Sequence, residues 1–293
     1  MIKLKLPIKI LATLMILCCL GVIWGSIIFY ENTYAMQENE LYARGTSSDL
    51  IDTPAEAKEY VRNKFSGKKN LQVYMSSYKC VRSINLSQNL LNQYYNGIHN
   101  TKYDGTCSEV AATILTVMYA NSDNPDPYTT FSEILDYALE NGYYEAGKGT
   151  RRADSDCITN YGLDLYPSSR PKDASNDYWN VYDVLKSNAK NNKLTMFNIK
   201  DHSMVGAGYY ELKATWQEEK SVLWFSWTEY KEEIVRFAIV NQGWAETHPY
   251  GSVITTRDFG RKETYQLFPA DLIGSEFFDS LFLKSSYYNV VIE

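Results

Sequence analysis

The pattern of apolar residues changes near residue 190, and this change limits the chain to one broad class of fold. Before this point the spacing is that of amphipathic helices, over residues 53–67, 106–118, 131–141 and 177–189. After it come consecutive strand-like runs, KLTMFNI, SMVGAGYYEL, SVLWFSW and EIVRFAIV, with YYNVVI near the end. Helices first and a sheet later predict an α+β fold.

The first 35 residues have the features of an export signal. Three lysines lie within the first nine residues, and an uncharged run of 21 residues follows from Ile10 to Tyr30. Thr33-Tyr34-Ala35 then supplies the small residues that a signal peptidase prefers. The run is also long enough to span a bilayer if it is retained. We therefore expect a secreted or cell-surface protein, with residues 1–35 either cleaved or kept as an anchor through residues 10–30.

The charge balance argues against a nucleic-acid partner. The chain has 29 basic and 35 acidic residues, and removing residues 1–35 takes away three lysines and one glutamate, which leaves 26 against 34, a net charge of −8. No basic run stands out against this acidic balance. Three scattered histidines, with no Cys-x-x-Cys pair, predict no metal site. VGAGYYE lacks the third glycine and following helix of a dinucleotide motif, so we expect no cofactor.

Residues 36–84 are open to two interpretations. Residues 36–52 are polar and aperiodic, as in a linker. Thr53 with Glu56 forms a capping-box pattern that predicts a helix ending at Gly67, and LQVYM at 71–75 predicts a strand. The segment is either a pro-region that is removed or the first elements of the fold. We place the main domain at residues 85–293.

Cys107 lies at the expected start of a helix in DGTCSEVAATIL. Thr106 and Glu109 match a capping box, which predicts Thr106 as the N-cap and Cys107 as the first helical residue. Unpaired backbone N–H groups and the helix dipole favour a thiolate there and lower its pKa. The same groups can stabilise an oxyanion, and Gly105 leaves room for a substrate backbone. The alternative is a small, buried, structural cysteine.

The count of cysteines is also informative. Beyond the leader the chain has Cys80, Cys107 and Cys157. An odd number in an exported chain leaves at least one thiol outside any disulfide. A bridge between Cys80 and Cys157 would leave Cys107 available, but spacing alone does not establish that bridge.

A thiolate nucleophile needs a base, and three histidines are candidates. His99 and His248 lie in stretches that have the composition of loops and are expected at the surface. His202 opens the strand DHSMVGAGYYEL, whose small residues allow close packing against a helix such as that of Cys107. Asn241, at the end of RFAIVNQGWAE, can accept a hydrogen bond from the imidazole and hold its orientation, with Trp244 shielding the bond. A structural histidine and a strand-ending turn are the alternatives.

The three motifs in this order resemble the papain-like cysteine peptidases. DGTCSEVAATIL is similar to their nucleophile helix, DHSMVGAGY to their histidine strand and VNQGW to their Asn-x-Gly-Trp element. The branch most similar contains the bacteriocin-processing, double-glycine peptidases and related exported proteins of Gram-positive bacteria. The resemblance covers roughly residues 85–260. It implies a buried N-terminal nucleophile helix packed on a C-terminal antiparallel sheet.

The resemblance also implies a role for each site residue. Cys107 would be the nucleophile, His202 the general acid and base, and Asn241 the orienting residue. The family usually has a glutamine shortly before the cysteine that helps to bind the oxyanion. Thr101 stands six residues before Cys107, so Gln93, fourteen residues ahead, becomes the candidate, with Gln88 a poorer choice.

Three functions follow as hypotheses. The first is an exported peptidase that cleaves peptide or protein substrates through an acyl-enzyme, with acyl transfer to an amine as a variant. The second is a catalytically weak or inactive papain-like module that binds a partner. The third is a structural secreted domain. A membrane is expected as a partner only through the N-terminal segment.

Overall fold

The computed structural model describes residues 47–120, 123–151, 154–166, 174–177, 181–199, 201–244, 253–254, 265–272 and 289–292. The expected leader at residues 1–35 and His248 lie outside these ranges. Within them, no helix combines the length and the apolar character needed to cross a membrane.

The described residues form α-helices mainly in the first two thirds of the chain. They are α1 (Pro54–Lys64), α2 (Gln88–His99), α3 (Cys107–Tyr119), α4 (Pro127–Glu140), α5 (Ser155–Asp164) and α6 (Val181–Lys190). The strands are β1 (Lys69–Cys80), β2 (Ser83–Ile84), β3 (Tyr144–Glu145), β4 (Gly149–Thr150), β5 (Ala174–Asp177), β6 (Thr195–Asn198), β7 (Ser203–Val222), β8 (Phe225–Asn241), β9 (Val253–Ile254), β10 (Tyr265–Pro269) and β11 (Asn289–Ile292).

One antiparallel sheet organises the fold. Its strand order in the described chain is β10-β8-β7-β6-β11-β5, and β1 pairs with the part of β7 that lies beyond β6. The short pairs β2–β9 and β3–β4 form two further ribbons. The expected α+β class is confirmed.

The long strands β7 and β8 correct one detail of the sequence interpretation. SVLWFSW was expected to be a strand of its own, but Val222 pairs with Phe225 and the chain turns between them. The turn was not recognised because Leu223 and Trp224 are not residues that favour tight turns. Two long strands therefore replace the three that the pattern predicted.

Helix α2 was not predicted from the sequence, so His99 was assigned to a loop. The helix contains three asparagines and Gly97, all poor helix formers. Leu91 and Tyr95, four residues apart, are buried and fix the helix against the core. His99, expected in a surface loop, is at the surface but is the last residue of this helix and stacks on Tyr95.

Helix α5 lies within residues 143–177, where the apolar spacing predicted no helix. Its composition gives little helical signal, and packing decides its structure. A Cβ atom at Gly162 would lie 2.3 Å from Oγ1 of Thr116 and 2.9 Å from Cδ1 of Ile134. Gly162 therefore lets α5 cross α3 and α4 in direct contact.

Residues 47–84 belong to the same compact unit as the later strands. Thr53 caps α1 as expected, and the apolar stripe Ala57, Val61 and Phe65 is buried. Phe65 stacks on Trp216 of β7 with ring centroids 5.0 Å apart. Helix α1 and strand β1 thus pack on strand β7, and the removal of residues 36–84 as a pro-region stays a prediction. Loss of residues 36–84 would remove a strand of the sheet.

Helix α3 is the most buried helix, as the sequence indicated. Its residues from Ser108 to Thr116 are all buried. Its N-terminal end contacts the start of β7, where the hydroxyl oxygens of Ser108 and Ser203 are 2.7 Å apart. This contact places Cys107 next to the strand that begins after His202.

The glycines of β7, which were expected to allow packing against the Cys107 helix, contact other elements instead. A Cβ atom at Gly206 would lie 2.7 Å from Cδ1 of Leu185 in α6. At Gly208 it would lie 1.9 Å from the carbonyl oxygen of Lys79 and 3.0 Å from Cα of Cys80. These glycines admit α6 and strand β1, and a bulge lies between them in the pairing with β8.

We predict that Gly208→Ala separates β1 from β7. The added methyl group meets backbone atoms, which cannot rotate away, so we expect a loss of about 2–3 kcal/mol in the free energy of unfolding. Urea unfolding followed by circular dichroism measures it. Gly97→Ala is the matched control, since nothing lies within 4 Å of that position in α2, and it should stabilise by about 0.5–1 kcal/mol. Equal stability of the two variants would contradict the prediction.

Candidate active site

Cys107 is the first residue of α3, with Thr106 as the N-cap, as expected. The expected capping box is wrong, because the Thr106 hydroxyl makes no bond to the helix. It donates instead to Oδ1 of Asn92 at 2.6 Å. The backbone of Thr106 has ψ of 30° rather than the extended value of most N-caps, so its side chain does not point at the helix N–H groups.

The Cys107 sulfur is half-buried and contacts Ser203, the residue after His202. Burial raises the pKa of the thiol, and a charge on Glu109 raises it further. The N–H and hydroxyl of Ser203 and the N–H of Ser108 stabilise the thiolate and offset part of this rise. The expected lowering of the pKa is therefore not found, because the sequence argument counted the helix end but not the desolvation of the sulfur.

His202 is buried and held from two sides. Its Nε2 lies 2.9 Å from the backbone carbonyl oxygen of Gln242. A carbonyl only accepts, so Nε2 carries the hydrogen, and in the neutral ring Nδ1 keeps a lone pair. The ring of Trp244 covers the imidazole, with centroids 4.1 Å apart. Burial lowers the pKa of His202 to about 4, against the hydrogen bond to Gln242 and the charge of Asp201.

Asn241 acts on the turn that holds the imidazole. Its amide nitrogen donates to the hydroxyl of Ser83 at 3.2 Å and to the carbonyl of Ile84 at 3.0 Å, and its oxygen accepts from the N–H of Gly243 at 3.1 Å. The hydrogen bonds of its side chain therefore join β8 to β2 and close the turn, and the orienting contact to His202 comes from the next residue's carbonyl. A direct role for the Asn241 amide stays a prediction.

Gln88, at the start of α2, fixes the other side of this turn. Its N–H donates to the carbonyl of Gly243 at 2.8 Å, and its side-chain oxygen accepts from Nε1 of Trp244 at 2.9 Å. Gly243 has φ of +71°, and a Cβ atom there would lie 2.9 Å from Val110 of α3. Glycine is required at this position for both reasons.

A cleft of about 290 Å³ lies between α2 and this turn, lined by Gln88, Asn89, Asn92 and Trp244. Gln93, the expected oxyanion residue, is exposed and donates to Oδ1 of Asn89 on its own helix at 3.2 Å. Asn92 is instead the residue that reaches the N-cap of α3. The sequence argument missed Asn92 because α2 itself was not predicted.

Glu109, two residues after Cys107, is fully buried. Its Oε1 accepts a hydrogen bond from the Thr150 hydroxyl, and Oε2 has no hydrogen-bond partner in the structure as described. Burial raises the pKa of this carboxyl to about 7, and the Thr150 hydroxyl lowers it in part. Burial therefore favours the protonated carboxyl below about pH 7, two residues from Cys107.

The β3–β4 hairpin occupies the space beside Gly105. A Cβ atom at Gly149 would lie 2.7 Å from the carbonyl oxygen of Gly105, and both glycines have positive φ. Tyr144 also donates to the carbonyl of Asp104. Gly149 thus lets the hairpin approach the Gly105 carbonyl, and the positive φ of Gly105 favours glycine there independently of any substrate.

The structure places Cys107 against Ser203, the residue after His202, and leaves Gln93 exposed on α2. Cys107 contacts Ser203, and His202 contacts Gln242, but among the described hydrogen bonds none joins the sulfur to the imidazole. No disulfide forms among Cys80, Cys107 and Cys157. Within the described ranges no group of histidine, cysteine and acidic side chains is arranged for a metal ion.

No protein-family model, curated protein or solved structure matches this chain.

We predict that Glu109→Gln stabilises the protein in a pH-dependent way. With a pKa of about 7 when folded and about 4.3 when unfolded, Glu109 binds more protons in the folded state, so its effect is a loss of stability as pH rises between these values. The variant removes this loss. Its stability should exceed that of the wild type above pH 7 by up to about 4 kcal/mol and approach it near pH 4.

Urea unfolding at several pH values measures the difference. His202, with its lowered pKa, acts in the opposite sense: its contribution is lost as pH falls from about 6.5 towards about 4. Subtracting wild type from variant cancels this contribution. The exposed Glu140→Gln variant controls for the loss of a helical carboxylate, and a constant difference across pH would refute a buried, titrating Glu109.

Proposed function

We propose that this chain is a cysteine peptidase of the papain-like kind, acting on peptide or protein substrates outside the cytoplasm. One observation carries the proposal: the Cys107 sulfur, at the N-terminus of a buried helix, contacts Ser203, the residue next to an imidazole whose Nε2–H is held by a carbonyl. This arrangement supports a nucleophile and a base with its free nitrogen, Nδ1, in adjacent positions.

The reaction would proceed through an acyl-enzyme. Cys107 passes its proton to Nδ1 of His202 as the sulfur attacks the peptide carbonyl, and a carbon–sulfur bond forms. The C–N bond then breaks, and the imidazolium gives its proton to the leaving amine. Water, deprotonated by His202, hydrolyses the thioester, and the proton returns to the sulfur. Acyl transfer to an amine would use the same steps with the amine in place of water.

The resting site differs from a preformed ion pair. Its pKa shifts keep the Cys107 thiol protonated and the His202 imidazole neutral at pH 7. Proton transfer therefore belongs to the step in which substrate binds and supplies an electrophile. The N–H groups at the start of α3 and the amide of Asn92 would receive the oxyanion.

In this mechanism Asn241 is a positioning residue. It closes the turn that aims the Gln242 carbonyl at His202, and so fixes which ring nitrogen carries the hydrogen. Trp244 excludes water from that bond by covering the ring.

A non-catalytic binding module is the second candidate. It is favoured by the hydrogen bonds of the sulfur, which go to Ser203 and Ser108 rather than to the imidazole. In that case the cleft beside Trp244 would capture a peptide without cleaving it.

A peptide carrying a Gly-Gly vinyl sulfone separates the two. The peptidase predicts covalent labelling of Cys107 that falls by about 10²–10⁴-fold in His202→Ala, because the base is lost. Mass spectrometry after proteolysis identifies the labelled cysteine. Cys157, which is half-exposed near the start of α5, is the internal control and should stay unlabelled.

His99→Ala is the matched histidine control and should label like the wild type. His202→Gln, compared by circular dichroism, guards against a loss caused by misfolding. Labelling of Cys107 and Cys157 at one rate, unaffected by His202, would refute the peptidase and leave the binding module.

A further inference from the structure

The turn end of the β7–β8 hairpin, opposite the end near Cys107, is apolar. Strand β1 pairs with β7 only as far as Gln217, so beyond it the described sheet has two strands. An uncharged run, Ser221–Thr228, forms the end of this arm, which we name the hairpin tip. Its turn residues are the most exposed apolar side chains of the arm, with Leu223 at 86% and Trp224 at 90%.

The apolar side chains of the tip share one face and the turn. Val222 pairs with Phe225, and Trp227, two residues on, lies on the same side as Phe225 because side chains alternate along a strand. The two rings are 6.4 Å apart. The opposite face has Ser221 and Ser226, which are partners in the ladder between β7 and β8. The tip is therefore amphipathic.

The turn is retained at a conformational cost. Leu223 has φ of +57°, a left-handed conformation that non-glycine residues adopt rarely. Glycine or asparagine at position 223 would adopt this conformation with less strain. An exposed leucine in a strained position, beside an exposed tryptophan, is explained by a partner that the apolar side chains contact.

The charges behind the tip are balanced. Glu218, Glu219 and Glu229 each lie within 4 Å of a lysine, at Lys68, Lys69 and Lys231 respectively. The first charge along β7, Lys220, stands three residues from the turn, about 10 Å at the rise of a strand. This depth matches the 5–10 Å to which interfacial segments enter the headgroup and acyl boundary.

We propose that the hairpin tip inserts into the surface of a lipid bilayer. A narrow, convex point gives a protein partner little area to bury, whereas a bilayer needs no matching pocket. Tryptophan beside aliphatic and aromatic residues is the composition found at membrane–water interfaces. Because the charges behind the tip are paired, apolar burial rather than attraction to anionic lipid drives insertion.

The test uses the full chain in phosphatidylcholine vesicles with a spin label near the headgroups, and measures quenching of tryptophan emission. The emission of Trp224 is quenched if the tip inserts, so Trp224→Phe should lose that part of the quenching. Trp244→Phe is the control, because this half-exposed tryptophan lies at the other end of β8, and its removal should leave the quenched signal unchanged. High salt should have no effect.

The double variant Leu223→Asn/Trp224→Gly makes the test decisive. It relieves the strained turn, so it should unfold at an equal or higher urea concentration, yet quenching of Trp227 should also be lost. Tip tryptophans that stay unquenched in the wild type would overturn the proposal. Self-association in vesicle-free solution that this variant abolishes, seen by sedimentation, would overturn it in favour of a second copy of the chain.

Discussion

The antiparallel pairing of β7 with β8 is the constraint on which the site depends. Because the strands run in opposite directions, the start of β7 and the end of β8 lie at the same end of the hairpin, where Val205 pairs with Asn241. His202 precedes the first of these ends, and the turn of Gln242 to Trp244 follows the second. Residues forty positions apart in the chain are thus brought into hydrogen-bond contact by the register of one hairpin.

In the turn after β8, each residue of a short motif makes a different contact. In Asn-Gln-Gly-Trp, the Asn241 amide joins the turn to β2, the Gln242 carbonyl holds the imidazole, Gly243 admits α3, and Trp244 covers the ring. Each of these contacts is made by a different residue. Replacing one of them disturbs His202 through the turn, even where no direct contact is lost.

Much of this could be predicted from the sequence, and the remainder has identifiable causes. The capping residues and the apolar stripe predicted α1, and the spacing of apolar residues in α3 predicted that it is buried. Both signals are local in the sequence. Helices α2 and α5 could not be predicted, since their weak helix formers are stabilised by packing. The spacing of Leu91 and Tyr95 and the N-cap Ser87 were the local signals for α2. Without α2, Asn92 could not be recognised as the neighbour of Thr106.

The ionisation of the site was the least predictable part. A helix end favours a thiolate, but burial acts on Cys107 in the opposite direction and is not visible in a sequence. Glu109 shows the same limit: it fits a capping-box pattern, yet it lies inside the protein with Thr150 as a partner. Whether such a carboxyl caps the helix or is enclosed in the protein depends on the backbone of the N-cap residue, here Thr106.

The length of the β7–β8 hairpin has a consequence for where the protein can act. Seventeen paired positions separate its two ends, about 55 Å at the rise of a strand. With the hairpin tip inserted by about 10 Å, a molecule standing upright on the bilayer would hold Cys107 at about 45 Å above the lipid. Cys107 would then reach substrate chains that project far from the bilayer rather than those lying along it. Removing paired residues from both strands would bring Cys107 closer to the lipid.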